Sequence, residues 1–233
     1  MIGAAIVLAA MASYLVVPAL VPRDLAFLVA QATLAAVALA GVLVLRVPRP
    51  LAALGLRGAR PRYWFAAIAI GATAWYLNAW LVVLILPNAD AGALEALVDR
   101  PPLAGALAQF ALVPAVCEEL VFRGVLARSL GRHLTLIAAV AISAVAFAAY
   151  HVSVIQALPT LTLGGMLAVL AIRADSIAPT IVAHAINNAA AIAMSRHALP
   201  AVIGWLDGHP ALAIAGCAAA TGAGLVVAAR GAA

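Results

Sequence analysis

The sequence predicts an all-helical bundle that crosses a lipid bilayer many times. Three observations carry that reading. Hydrophobic residues fill 67% of the 233 positions and charged residues only 9%, whereas a soluble domain is nearer half apolar and a quarter charged. The apolar residues fall in runs of about 20, long enough to cross a hydrocarbon core as helix. Much of the apolar count is alanine, and small side chains let helices pack closely in a bilayer.

The first apolar run, Ile2 to Leu20, stops at Val21-Pro22-Arg23-Asp24. It has no basic n-region, so it reads as a membrane span and not as a cleaved signal peptide. The second run is Leu25 to Leu45. The loop VPRPLAALGLRGARPR follows, dense in Pro, Gly and Arg, and its centre suits a short interfacial segment. The third run is Tyr63 to Leu86. Asp90, Glu95, Asp99 and Arg100 mark the polar connection after it. A fourth begins at Leu103 and enters Pro114-Ala115-Val116-Cys117-Glu118-Glu119-Leu120-Val121-Phe122-Arg123-Gly124. Leu134–Tyr150, Val154–Ile172, Ile177–Met194 and Ala211–Ala229 bring the expected total to about eight. One integral-membrane domain over residues 1–233 is expected, with its chemistry within 114–190.

The formal net charge is +5 and all thirteen basic residues are arginine. In so apolar a chain this marks cytoplasmic loops, not a nucleic-acid partner. With the Arg46–Arg62 loop in the cytoplasm, ten arginines fall on or toward that side. Only Arg23, Arg100 and Arg196 fall outside. Both termini are then cytoplasmic. The all-arginine, alanine-rich composition suggests a high-GC prokaryote, and hence a multi-pass plasma-membrane location. Cys117 and Cys217 have no metal-site or disulfide-framework spacing and read as free, inert thiols.

Six of the eight acids sit at span ends or in loops; Glu118 and Glu119 do not. An ionisable residue inside a span is costly and normally functional, facing the bundle interior. Adjacent helical residues diverge by about 100°, so the two carboxylates address different points. Glu119 precedes Arg123 by four, the favourable order for a helical ion pair. Glu118 shares its face with Phe122 and has no partner in this segment. A desolvated carboxylate of that kind suits a general base. His151 ends an apolar run one turn after Phe147, and His184 lies three and four residues before Asn187 and Asn188. Buried polar groups need partners, and these groups are each other's natural partners. A structural ion pair and hydrogen-bonded core histidines are the plainer alternative.

The pattern Glu118-Glu119-x-x-Phe122-Arg123-Gly124, then Phe147-x-x-x-His151, then His184-x-x-x-Asn188 resembles the CAAX protease and bacteriocin-processing family of intramembrane endopeptidases, Rce1-like proteins included. The resemblance implies a glutamate-dependent peptidase without a metal. Glu118 and His151 would activate water, and His184 and Asn188 would stabilise the oxyanion. Glu119, Arg123, Phe122 and Phe147 would support them. Spacing alone does not choose between Asn187 and Asn188; the resemblance favours Asn188. The GLRG loop is a common companion in such proteins. The implied partner is a membrane-associated peptide or protein, lipidated or not: a CAAX-type tail, a leader peptide or a sorting tail.

Other readings stay open. Glu118, His151 and His184 could be three zinc ligands with Glu119 as base, although no H-E-x-x-H pair is present. Intramembrane Glu and His also build the proton relays of transporters. A non-enzymatic scaffold and a Cys117 peptidase are weaker alternatives. On a straight helix His151 lies roughly 27 Å from Arg132–His133, while Glu118 is much nearer Arg128. Tilted or broken helices are needed to bring both to one site.

Overall fold

The computed structural model describes residues 2–151 and 153–230, leaving aside the side chains of a few residues, Arg23 and Asp24 among them. It is 82% helix, with no strand among the described residues. In chain order the helices are α1 (Ile2–Val16), α2 (Arg23–Val44), α3 (Pro50–Ala53), α4 (Pro61–Ile85), α5 (Gly92–Asp99), α6 (Leu103–Ala106), α7 (Val113–Glu119), α8 (Arg128–Leu130), α9 (Leu136–Tyr150), α10 (Val154–Ala174), α11 (Ala178–Ser195), α12 (Pro200–Gly208) and α13 (Pro210–Ala229). Helices α6, α7 and α8 form one continuous rod. Two π-helical stretches, Leu107–Leu112 and Leu120–Ala127, join them. Pro114 has no N–H for the Phe110 carbonyl one turn before it, which disturbs α-helical pairing beside the first π stretch.

Four helices are long and apolar enough to cross a membrane: Leu25–Val44, Pro61–Ile85, Val154–Ala174 and Pro210–Ala229. A fifth crossing results if Ala178–Ser195 and Pro200–Gly208, bent by 87°, count as one span. The apolar runs near Ile2–Leu20 and Leu134–Tyr150 are only short apolar helices, Ala5–Val16 and Leu136–Tyr150. The run from Leu103 is divided by its π stretches and carries Glu118, Glu119, Arg123 and Arg128. Large apolar side chains such as Phe65, Leu84 and Ile137 point outward, an outer surface suited to lipid.

Among the described residues, two of the three buried apolar clusters hold most of the packing. In one, α1 and α2 pack Ile6, Val7, Ala10, Leu34 and Ala38 against Leu120, Val121 and Phe122. In the other, α4, α10, α11 and α13 meet around Tyr63, Ile70, Leu163, Leu167 and Ala183. Backbones approach closely there: a Cβ on Gly71 would lie 2.5 Å from the Ala183 carbonyl oxygen.

The GLRG loop is clamped onto the end of the rod. Gly55 has φ +78°, and a Cβ there would meet the Arg128 guanidinium at 2.8 Å. Arg128 Nη1 donates to the Ala53 carbonyl (2.7 Å), and its Nε and Nη2 donate to Asp175 Oδ1 (3.0 and 2.7 Å). Arg57 also pairs with Asp175. Ser176 Oγ donates to the Arg57 carbonyl (2.6 Å), and Ile177 N donates to that of Gly55 (2.9 Å). The loop, the rod and the α10–α11 turn are thus fastened together.

Candidate active site

The rod positions Glu118 and Glu119 at the end of α7, where both are buried. Glu119 Oε1 accepts from Arg123 Nη1 at 2.8 Å, and both side chains are fully inaccessible. Arg123 is held further by the Gly164 carbonyl at 3.3 Å and by the Phe147 ring, 4.1 Å from its guanidinium carbon. The same Glu119 oxygen lies 3.0 Å from His184 Nδ1. A carboxylate accepts, so Nδ1–H donates, and this fixes the ring with Nε2 directed at the other glutamate. His184 Nε2 is 3.9 Å from Glu118 Oε2.

Glu118 Oε1 takes a hydrogen bond of 2.8 Å from Gln31 Nε2 of α2. Its Oε2 is buried and has no hydrogen-bond partner among the described residues. The same Gln31 nitrogen reaches Tyr150 Oη at 3.4 Å.

His151 caps the end of α9. Its Nδ1 lies 2.9 Å from the Phe147 carbonyl; donation there leaves Nε2 as the acceptor. The Phe147 ring contacts the rings of His151 (4.8 Å between centroids), His184 (5.9 Å) and Phe122 (5.0 Å). Tyr150 packs on Phe122 and on His151. Phe147 and Tyr150 therefore bridge His151 to the Glu118 side, which the separate segments left open.

Asn188 donates from Nδ2 to the Phe110 carbonyl at 3.3 Å, the group that Pro114 cannot serve. Its Oδ1 accepts from Asn187 at 3.2 Å. One Nδ2 hydrogen of Asn188 stays uncommitted, because a primary amide carries two. Asn78 joins α4 to α10 through the Pro159 carbonyl (3.2 Å) and Thr162, in keeping with interhelical glue. Cys117 and Cys217 are free. The zinc alternative needs Glu118, His151 and His184 to converge on one ion. Among the described residues no group of three or more His, Cys, Asp or Glu side chains is placed to hold a metal.

With this geometry in view, residues 100–190 match the family model for type II CAAX prenyl endopeptidase, Rce1-like. No curated protein and no solved structure matches the chain significantly. The matched family is one of peptidases, and the four or five candidate spans among the described residues suit a multi-pass helical membrane protein. The Rce1-like segment contains all three motifs, from Glu118 to Asn188. It does not contain Gln31, which sequence reasoning passed over. The only signal for Gln31 was a lone amide inside an apolar span.

Proposed function

We propose that the protein is a glutamate-dependent intramembrane endopeptidase acting on a membrane-associated protein or peptide, a CAAX-type tail being the substrate class nearest the family. The observation that carries this reading is Glu118. It is a buried carboxylate with Oε1 held by Gln31, Oε2 unpartnered, and an imidazole nitrogen 3.9 Å from that free oxygen. Glu118 Oε2 takes a proton from water, with His151 Nε2 orienting the water or sharing the proton. The water oxygen bonds to the scissile carbonyl carbon, and the carbonyl π pair moves to oxygen. His184 Nε2, its ring held from behind by Glu119, and the uncommitted Asn188 Nδ2 hydrogen meet that oxyanion. Collapse re-forms the carbonyl and breaks the C–N bond. The leaving nitrogen takes the proton from Glu118, which regenerates the base. Donors fixed in a water-poor site stabilise an oxyanion far better than water does.

Counted with α1, α9 and the whole Leu103–Leu130 rod, the spans number eight, and the arginine bias puts both termini in the cytoplasm of a plasma membrane. The test is cleavage of a prenylated CAAX peptide by purified protein in proteoliposomes. His184→Ala and Asn188→Ala should each lower kcat about 10²–10³-fold, as removal of an oxyanion donor does. A chelator should leave wild-type activity intact. Activity lost with a stoichiometric metal and restored by adding it back would overturn the metal-free mechanism.

A further inference from the structure

We propose that Gln31 is a positioning residue for Glu118, an essential part of the site delivered from outside the Rce1-like segment. The inference rests on the peptidase reading above. Gln31 is 1% exposed, in the middle of a span that is otherwise almost wholly apolar. Burying an amide there is unfavourable unless it is hydrogen-bonded. Thr33, its polar neighbour, satisfies itself locally on the Val29 carbonyl at 2.7 Å. Gln31 makes no such local bond. It reaches across to the rod, and its Nε2 forks between Glu118 Oε1 (2.8 Å) and Tyr150 Oη (3.4 Å). Tyr150 is itself backed by Tyr14 of α1, with ring centroids 4.3 Å apart.

A hydrogen bond to an ionised carboxylate is stronger and shorter than a neutral one. Held by Oε1, the carboxylate cannot rotate freely, and Oε2 is the oxygen left to face His184. The Gln31 bond therefore selects which lone pairs do the work. The other titratable or charged groups near Glu118 are Cys117, Glu119 and Arg123 on its own rod, His184 on α11, His151 and Tyr150 at the end of α9, and Tyr14 on α1. Arg123 is committed to Glu119, which leaves Gln31 as the direct donor to Oε1.

The test compares wild type with Gln31→Met and Gln31→Leu in proteoliposomes, using the prenylated CAAX peptide. Methionine keeps the length and flexibility of the side chain without the donor. We expect kcat to fall about 10–100-fold in both variants, of the order seen when a catalytic group is misplaced by an ångström. KM should stay within about twofold and the melting temperature should be retained. The acid limb of the kcat/KM profile should move to higher pH, because a donor that favours the carboxylate has been removed. An unchanged kcat and pH profile in Gln31→Met would overturn the proposal. So would a fall in kcat that matches the loss of folded protein, with the pH profile unmoved; that outcome would make Gln31 structural. If the wild type cleaves nothing, the peptidase reading fails first, which separates the two failures.

Discussion

Glu119 sits at the junction of two demands, since one oxygen accepts from both Arg123 and His184. The Glu119–Arg123 pair is wholly buried, so removing one member strands the other. Arg123→Leu should therefore cost about 3–5 kcal/mol of stability, read as a lowered melting temperature of purified protein, and His184 should lose its alignment with it. This pair was legible in the sequence because its members stand four apart on one helix. The partner of Glu118 was not legible: Gln31 is 87 residues away, and the periodicity of one segment says nothing about which neighbouring helix supplies a donor. Asn188 lies between these cases. The resemblance chose it over Asn187, and its bond to the Phe110 carbonyl follows from Pro114, whose missing N–H is visible in the sequence. The helix that would exploit that carbonyl is not.

The rod is set in place by two close approaches of backbone. A Cβ on Gly124 would come within 2.7 Å of the Leu54 carbonyl oxygen. Gly124→Ala should push the α3 loop away and cost about 1–3 kcal/mol, with activity falling alongside the melting temperature. Gly55→Ala should be at least as harmful, since Gly55 combines φ +78° with the Arg128 contact. Comparing the thermal unfolding of both variants with that of Gly58→Ala checks this, because a Cβ on Gly58 meets nothing within 4 Å and should cost little. The GLRG loop was legible as a turn-rich, basic connection. Its grip on Arg128 and Asp175 was not, because that contact joins three separate segments. The positions of the long helices α2, α4, α10 and α13 were legible from apolar runs alone, whereas α5 and α12 were not. The π stretches at Leu107–Leu112 and Leu120–Ala127 leave no hydropathy signature, and such bulges recur at functional sites.

The matched segment 100–190 does not close the site or the core by itself. Helices α1 and α2 bury Ile6, Val7, Leu34 and Ala38 against the rod, and α2 carries Gln31. A chain lacking residues 1–45 should therefore be unable to form a monodisperse protein in detergent, or to cleave substrate, although every motif is intact. Size-exclusion chromatography and the proteoliposome assay check this. The outline of the whole molecule, a helical membrane bundle with its polar groups gathered in one half, was readable from composition and motif order. The supply of a donor to Glu118 from the first half, through the Gln31 amide, was not. The most direct test of glutamate-dependent peptidase function is a comparison of new peptide termini, by mass spectrometry, in membranes of cells carrying wild type or Glu118→Gln. Termini present with wild type and missing with a well-folded Glu118→Gln protein are the predicted result. The same termini appearing with both proteins would contradict the assignment of Glu118 as the base.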